Sequence, residues 1–523
     1  AFCIQGVPRT LWTMFVRKKK NKSGTTSVHI VEKRAGTYAL IKAIGSSNNP
    51  DEIERLVLKA RDNLHPAQNE QPPLFVTLLP SDAAIKNFLD QVRNSDIRTI
   101  GPELIFGTLF DRIGFNTIPQ KLFRHLVIAR LAYPASKLKT ADYLYRYQGV
   151  VTTADAIYKS LDRFGKKHKR IAEHIAFSHT KKTLNTISVV FYDMTTLYFE
   201  AEDEDDLRKI GFSKDGKFQC PQIMIGLLVG EGGFPISYDI FEGNTFEGHT
   251  LLKTLDKIAT KYELGKPVVV ADAAMLSKKN VEELKAAGYT FIVGGRVKNE
   301  NEKTKCEILE KAKNAPDGYS FEVKREDGTR LIVTFSEKRK RKDAHNRDKG
   351  VKKLRAKVAS GKLAKAHITN RGYNKFLALQ GDVSVTIDET RIADDVRWDG
   401  LKGYVTNTTL PHEKIIEHYG HLWQIEKAFR ISKTDLRVRP IFHYKRRRIE
   451  AHLTIAFVAY AIWKELERLL NQNCVAMSPA RAAELTHTMY ALHYSLPQSK
   501  QSESRMFAMD NEQKALYGVI HKL

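Results

Sequence analysis

The alternation of apolar and polar residues divides the chain into segments with different predicted structures. Residues 14–45 alternate in the segments SVHIVEK and TYALIKAIG, which predicts a small β-hairpin or three-stranded unit. From 103 to 180, apolar residues recur at spacings of three and four, which predicts a run of helices. We therefore expect a small α+β region over residues 14–100 and a helical region over residues 101–185.

From residue 187 the pattern changes to short apolar runs that alternate with helical segments. The runs ISVVFYD and PVVVAD each predict a buried strand that ends in an acid, Asp193 in the first and Asp272 in the second. This alternation predicts a mixed sheet with helices packed against it, so the fold class is α/β. We place the first part of this core at residues 186–298.

Between residues 299 and 400 the regular alternation stops. The segment SFEVKREDGTRLIVTF carries a hairpin signal, and a very basic stretch from Lys338 to Lys357 follows it. A long run of like charges is usually a solvated face or loop, and here it could also contact a DNA backbone. We predict a mainly β, basic insertion over 299–400.

The remaining chain is expected to complete the core. A strand in GYVTNT and a helix from about Pro411 to Lys433 place the last part of the core at 401–470. The apolar segment AHLTIAFVAYAIWKELERLL has the length of a membrane span, but we interpret it as a buried helix that covers the sheet. Residues 471–523 are predicted to be a helical tail.

The charge of the chain indicates its partner. With 523 residues and a formal net charge of +25, the protein is expected to bind nucleic acid, because Lys and Arg displace counterions from phosphates. An anionic membrane is the weaker alternative. Basic residues recur in the helical region, which could form a DNA-binding helix-turn-helix or a helical bundle with a solvated basic surface: Lys121, Arg124, Arg130, Lys137 and Lys139.

The four cysteines lie far apart and form no zinc or disulfide pattern, which fits a reducing cytoplasm. The N-terminal residues lack an A-x-A cleavage site and a proper signal h-region, so we expect no signal peptide. Met14 opens the segment MFVRKKKNKSG, and the sequence leaves open whether residues 1–13 are an upstream extension.

Three acids combine into one candidate site: Asp193, Asp272 and Glu426. A carboxylate at the end of a buried strand is held at the rim of the sheet, where open α/β sheets bind ligands. Glu426 lies on the predicted helix in the segment YGHLWQIEKAFRISK. Hard oxygen ligands select Mg²⁺ or Mn²⁺ over zinc, and two such ions would support an in-line phosphoryl displacement. The acids therefore predict a magnesium site, with manganese as the alternative metal.

The spacing of the helix residues around Glu426 adds candidate DNA contacts. Six residues fall at spacings of three, four and seven and are expected to share one face: Tyr419, Leu422, Trp423, Glu426, Arg430 and Lys433. On that face Tyr419, Arg430 and Lys433 would flank the metal site and contact phosphates. Each residue also has an ordinary structural interpretation, as a turn acid, a core aromatic or a surface charge. Their joint occurrence in a strongly basic chain favours the site.

These motifs resemble bacterial insertion-sequence transposases of the DDE class, in the group with a Tyr-Arg-Glu-Lys signature on the catalytic helix. The matching segments are YDMTTLYFE around Asp193 and VVVADAAMLS around Asp272, with Tyr419, Glu426 and Lys433 at the signature spacing. The similarity extends over most of the chain from about Met14.

The resemblance implies a ribonuclease-H-like catalytic core with a largely β insertion between the second Asp and the Glu. Asp193, Asp272 and Glu426 would bind the metals that support cleavage of DNA at the element's ends. The exposed 3′-hydroxyls would then attack target DNA in cut-and-paste transposition, often through a hairpin. It also implies that Trp423 lies near distorted terminal bases and that Tyr419 contacts terminal phosphates. A homodimer would pair two double-stranded ends at the bacterial nucleoid, away from any membrane.

One residue departs from the signature. Leu422 occupies the Arg position, and leucine cannot donate to a phosphate. Arg430, one turn beyond Glu426, is our candidate for the missing charge. Two rivals to an active transposase remain: a related nuclease or resolvase without strand transfer, and a catalytically inactive DNA-binding repressor of transposition.

Overall fold

The computed structural model describes residues 14–34, 37–64, 80–213, 216–246, 250–262, 265–273, 278–360, 363, 368–369, 372–380, 384–496 and 499–521. The chain divides into two compact units, Ala1–Val92 and Arg93–Leu523. The question of an extension over residues 1–13 falls outside the described residues. The candidate site residues all lie in the second unit.

The first unit is a three-stranded antiparallel sheet with a helix packed against it. Its elements are β1 (Met14–Lys20), β2 (Thr26–Arg34), β3 (Thr37–Ser47), α1 (Pro50–Leu64) and α2 (Pro80–Gln91). The strands pair in the order β1-β2-β3. Leu56 and Ala60 of α1 pack on Val28 and Ile30 of β2, so the alternating segment forms the three-stranded unit that its pattern predicts.

The second unit begins with a short strand and five helices. They are β4 (Ile97–Thr99), α3 (Thr108–Ile113), α4 (Lys121–Ala132), α5 (Lys137–Gln148), α6 (Ala154–Arg163) and α7 (Lys166–Leu184). The basic residues of this region do not form one continuous solvated surface, contrary to the prediction. Arg124 pairs with Glu103 and Asp111, while Arg130 and Lys137 are buried. These helices pack into a bundle in which only Lys121 and Lys139 of the five named cations are exposed.

An eight-stranded mixed sheet forms the centre of the second unit. Its first elements are β5 (Val189–Tyr198), β6 (Gln222–Gly230), β7 (Pro235–Glu242), α8 (Leu251–Tyr262), β8 (Val268–Ala271), α9 (Lys278–Ala286) and β9 (Phe291–Gly295). The segment after them contributes α10 (Glu302–Ala312), β10 (Ser320–Lys324), β11 (Arg330–Phe335), α11 (Glu337–Ala359), β12 (Leu377–Gln380), β13 (Ser384–Ile387) and α12 (Glu389–Val396).

The last elements return to the sheet and then cover it. They are β14 (Leu401–Thr406), α13 (His412–Gly420), α14 (Trp423–Arg430), α15 (Arg446–Gln472), α16 (Pro479–Thr486), β15 (Tyr490–Ser495), β16 (Ser502–Met506) and α17 (Asn511–His521). The strand order of the large sheet is β10-β11-β14-β9-β8-β5-β6-β7. β8 runs parallel to β5 and to β9, and the other pairs in this sheet are antiparallel.

Two predicted segments differ from the structure. The segment 299–400 is not mainly β, because its basic run forms the 23-residue helix α11. The hairpin of β10 and β11 joins the central sheet through β14 and is not a separate module. The tail after residue 470 is not purely helical either, because β15 pairs with both β16 and β4 in a small three-stranded sheet.

The apolar helix α15 is buried between the helical bundle and the sheet. It packs against α4, α6 and α7 and also against β7. Tyr238 and Thr454 share a hydrogen bond of 2.7 Å, and the Tyr460 hydroxyl donates to the Gly233 carbonyl at 2.7 Å. The helix is thus a core element. No helix within the described ranges is long and apolar enough to cross a membrane.

Candidate active site

Strand pairing places Asp193 beside Asp272. β5 and β8 run parallel with Tyr192 opposite Ala271, so each aspartate is the residue that directly follows this last pair. Neighbouring strands lie about 4.8 Å apart, which makes the two carboxylates close neighbours. Each aspartate also accepts the following backbone N–H, at 2.7 Å for Asp193 and 2.6 Å for Asp272.

The two strands do not end at the same level. Contrary to the prediction, β5 continues past Asp193 to Tyr198 because β6 still pairs with it there. β8 ends at Ala271, directly before Asp272. The site therefore lies where β8 ends. Beyond that point, β5 has no parallel strand beside it on this edge among the described residues.

Glu426 lies on α14, which packs on β5 through its apolar face. Ile425 is fully buried, and Ala428 and Phe429 are buried beside it in the same core as Phe191. Glu426 is on the exposed side of this helix. Its charge acts on both Tyr419 and Lys402, two side chains on which Asp272 also acts. These shared neighbours place the third carboxylate in the surroundings of Asp272.

The six helix residues do not share one face. The chain leaves the α-helical hydrogen-bond pattern at His421 and Leu422, where Leu422 N–H donates to the Tyr419 carbonyl at 3.1 Å. This turn changes the helical phase. Tyr419 and Leu422 are buried, whereas Trp423, Glu426 and Arg430 are exposed. A π-helical turn at Ile431–Asp435 then carries Lys433, which lines a small cavity with Thr195 and Leu197 of β5.

Tyr419 connects the helix to the strand acids. Its hydroxyl donates to Asp272 Oδ1 at 3.4 Å. Burial, followed by the charge of Asp272, raises the pKa of Tyr419, so the hydroxyl keeps its proton. Gly294 of β9 permits this approach, because a Cβ at that position would lie 2.6 Å from the Tyr419 hydroxyl oxygen.

Lys402 of β14 is a site residue that the sequence did not indicate. Its ammonium nitrogen lies 4.5 Å from the centroid of the Tyr419 ring and 5.3 Å from that of Tyr404. Burial lowers the pKa of Lys402 and Arg339 lowers it further, while Asp272 and Glu426 act in the opposite direction. A cation held on aromatic rings beside two carboxylates is well placed to meet a phosphate.

The chemistry of the donor set fits a hard divalent cation. Two carboxylates stand side by side by strand register, a third lies on the helix packed against the same strand, and all three offer oxygen ligands. The described residues contain no group of three or more His, Cys, Asp or Glu side chains gathered closely enough to hold a metal ion. The structure thus supplies oxygen donors on β5, after β8 and on α14, but these donors are not yet gathered into a metal site.

The fold is an α/β sheet with two neighbouring acids at adjacent strands and a third acid on a helix packed against them. This arrangement is typical of proteins whose acidic site binds divalent cations and acts on phosphates. The sequence matches the family described as Transposase DDE domain over residues 184–462, a range that includes Asp193, Asp272 and Glu426. The chain belongs to this transposase family, whose members depend on divalent metals. The sequence matches none of the curated proteins with which it was compared.

Two solved transposase complexes are similar to this chain. The piggyBac transposase synaptic complex with hairpin DNA has 9% sequence identity and a TM-score of 0.39, covering 74% of this chain and 76% of that one. The Mos1 transposase paired-end complex with left transposon end has 12% identity and a TM-score of 0.16, covering 32% of this chain and 56% of that one.

Proposed function

We propose that the protein cleaves DNA at the ends of an insertion sequence and joins the 3′-hydroxyl ends to target DNA, by cut-and-paste transposition. The observation that carries this proposal is the parallel register that sets Asp193 beside Asp272, with Glu426 on a helix packed on the same strand. The family of the chain supports it. We assign the sheet to a ribonuclease-H-like core and the chain to the bacterial Tyr-Arg-Glu-Lys group.

Asp193, Asp272 and Glu426 are proposed to hold two Mg²⁺ ions, with Mn²⁺ as a substitute. Bound there, the metals would supply charge stabilisation to the attacking and leaving oxygens of a phosphodiester. The protein's own part is placement. The backbone N–H groups of Met194 and Ala273 orient the two strand carboxylates, and the buried Tyr419 hydroxyl fixes one oxygen of Asp272.

Four side chains on the catalytic helix and its extension are proposed to bind the DNA end. Tyr419 and Lys433 would contact phosphates, and the exposed ring of Trp423 would stack on a distorted base. Arg430 is exposed one turn beyond Glu426 and would supply the charge that Leu422 cannot. Lys402 joins this set because it approaches the acids from the sheet side.

The structure explains why a leucine occupies position 422 in place of the arginine of the signature. It is 8% exposed and belongs to the main core with Ile425 and Phe429, so the turn at His421 directs this position inward. An arginine here would have to bury its charge. The proposal therefore assigns the phosphate clamp to Arg430, and replacing Arg430 with Ala should reduce end cleavage and hairpin yield. Unchanged cleavage and hairpin yield would refute this role.

The test of the proposed function is cleavage of a duplex that carries the element's terminal repeat. Wild-type protein should nick this DNA only when Mg²⁺ or Mn²⁺ is added, while Asp193→Asn should bind it without cutting. Asp203→Asn, in an exposed acidic loop, is the matched control and should cut normally. If the wild type binds the duplex and never cuts it, the chain is an inactive repressor. Cleavage without joined products would assign it to the nucleases.

The transposition proposal also implies two DNA ends held together. We propose a homodimer that pairs the ends, since cleavage at both ends must be coordinated before joining. Crosslinking in the presence of the end duplex, compared with protein alone, measures this directly. A species with two protomers and two duplexes is expected, and a strictly monomeric active complex would contradict it.

A further inference from the structure

A second basic site lies away from the three carboxylates. A cavity of about 600 Å³ opens between the turn from α4 to α5, the loop that follows Lys433, and α15. Arg130 and Lys137 form its inner part, with His443 and His452 beside them. Neither the acidic site nor the helix contacts described above use these groups.

Apart from two tyrosines, the ionisable side chains that line the cavity are all basic. They are Arg130, Lys137, Lys139, Arg437 and Arg439, together with three histidines. No carboxylate is among the described lining residues. The acid whose charge acts on His443 is Asp162, and it is already held by Arg448 at 2.7 Å and Arg447 at 3.0 Å. The two buried cations, Arg130 and Lys137, therefore meet no carboxylate among the described residues that line the cavity.

Burial makes this concentration of charge unusual. Arg130 is 6% exposed and Lys137 is 7% exposed. The guanidinium of Arg130 reaches only the carbonyl oxygens of Leu436 and Arg437, each at 3.4 Å, and within the described chain the Lys137 ammonium has no hydrogen-bond or ion-pair partner. Burial, followed by the charge of Arg130, lowers the pKa of Lys137 well below its usual range. An anion that entered the cavity would favour the protonated amine and offset the cost of burying its charge.

A further observation points to an oxyanion. The positive end of the 12-residue helix α5 faces the cavity at Lys137, where Ser136 caps the helix by accepting from the Lys139 N–H. Burial lowers the pKa of His452 well below its usual range, and its Nε2–H donates to the Val438 carbonyl oxygen at 3.1 Å, so this neutral ring offers the cavity no further donor. Burial, followed by the charge of Lys137, lowers the pKa of His443 to about 3, so this ring is neutral at pH 7.

We propose that this cavity binds a backbone phosphate of the DNA, held by Arg130 and Lys137 at the N-terminus of α5. The proposal rests on the proposed function as a DNA transposase and adds a DNA-binding subsite outside the acidic site. A free phosphate ion has the same chemistry, but the position and the mouth of the cavity favour DNA.

The position of the cavity links it to the acidic site. Its lining loop joins the end of β5, where the Ile441 N–H donates to the Tyr198 carbonyl at 3.2 Å. Tyr198 lies five residues beyond Asp193 along the strand. At about 3.3 Å per residue this is a distance of roughly 17 Å, or about five nucleotide steps along one strand of a duplex. A strand that leaves the acidic site past Lys433 can therefore reach the cavity.

The mouth of the cavity suits a nucleic acid. Lys139 and Arg437 are exposed there, and so are the rings of Tyr133, at 42%, and Phe442, at 64%. Cations that follow a backbone and rings that offer a stacking surface are the combination found in nucleic-acid grooves. A site built only for a small ion has no use for exposed aromatic rings at its entrance.

The test compares Lys137→Met with Lys181→Met, which removes the same charge from an exposed position at the end of α7. Binding of the labelled end duplex to the full-length protein is measured by fluorescence anisotropy over a salt series. Lys137→Met should weaken binding by about 10- to 100-fold and reduce the salt slope by about one, since one charged hydrogen bond to phosphate is lost. Lys181→Met should change the affinity by less than about threefold.

Stability measurements separate binding from misfolding. Lys137→Met should melt at or above the wild-type temperature without ligand, because it replaces a buried amine that has no hydrogen-bond partner among the described residues with an apolar side chain of similar size. Inorganic phosphate should raise the melting temperature of the wild type and not that of Lys137→Met. Arg437→Gln, at the exposed mouth, should fold normally and weaken DNA binding to a smaller degree.

The outcomes distinguish this proposal from the proposed function. Equal DNA binding by Lys137→Met and Lys181→Met overturns the subsite, even if phosphate stabilises the wild type, since the cavity is then a site for a free anion. That result leaves metal-dependent cleavage by the wild type untouched. Conversely, a protein that never cleaves DNA, yet loses binding with Lys137→Met, retains the subsite and refutes the transposase activity.

Discussion

Replacing Leu422 with Arg restores the residue expected from the signature and tests whether this position faces DNA or the core. Leu422 is 8% exposed and packs in the main cluster. Removing its buried surface costs about 2–3 kcal/mol, and partial burial of a guanidinium adds to this even if the side chain extends toward solvent. We expect Leu422→Arg to lose about 2–4 kcal/mol of unfolding free energy, with no gain in affinity for the end duplex.

Urea denaturation followed by far-UV circular dichroism measures the loss. With an m-value of about 3 kcal/mol/M, the midpoint should fall by about 1 M. Trp423→Arg is the matched control, because Trp423 is the next residue and 53% exposed, and it should remain within about 0.5 kcal/mol of the wild type. If Leu422→Arg is as stable as the wild type and binds the duplex more tightly, the position faces DNA and the assignment of its role to Arg430 is wrong.

Two further substitutions test the surroundings of the site and the packing of the core. Lys402→Met should tighten Mn²⁺ binding by roughly tenfold in a calorimetric titration, because it removes a cation that interacts with the charges of Asp272 and Glu426. Unchanged or weaker binding would contradict its placement. Glu173 is 1% exposed and meets Lys261 at 3.0 Å, so Glu173→Gln should cost about 3–5 kcal/mol. Burial raises the pKa of Glu173, but Lys169 and Lys261 lower it more, so the net pKa is lowered and wild-type stability should decline as pH falls below about 4.5. In urea titrations at each pH, the stability of Glu173→Gln should decline less. Parallel stability profiles for the two proteins would exclude this contribution.

The strand acids could be predicted because local chemistry determines them. Asp193 and Asp272 each follow a run of β-branched and aromatic residues that forms a buried strand. That they meet in one site is a prediction from the sequence, but the strand pairing that brings them together is not, since the parallel register of β5 with β8 spans about 80 residues of intervening chain. Lys402 could not be predicted for the same reason. The two rings that it contacts, Tyr404 and Tyr419, come together only when the helix packs on the sheet.

The structures of α11 and of the basic residues Arg130 and Lys137 differ from the prediction for another reason. The basic run in α11 has strong helix formers but almost no apolar periodicity, so its pattern does not distinguish a helix from a solvated loop. Its attachment comes from a few residues: Arg347 forms a buried bidentate pair with Asp399, and Val351 and Leu354 reach a small core. Likewise, Arg130 and Lys137 have the residue types of a solvated face, and only the packing of the loop after Lys433 encloses them.

The phase of the catalytic helix depends on a single turn. Spacing alone places Tyr419, Leu422 and Glu426 on one continuous face, but the turn at His421 rotates the helix so that Tyr419 and Leu422 point inward while Glu426 remains exposed. Nothing in the residue types around Gly420 requires this turn. It follows from the need to bury Ile425 and Phe429 on β5 while Tyr419 reaches Asp272.

The central claim is that carboxylates from two strands and one helix converge on divalent cations. Anomalous diffraction from crystals of the protein with an end duplex and Mn²⁺ tests it most directly. The account predicts manganese peaks about 2.0–2.2 Å from oxygens of Asp193, Asp272 and Glu426, with two ions about 3.5–4 Å apart. Manganese bound elsewhere, with Glu426 distant from both aspartates, would contradict this claim.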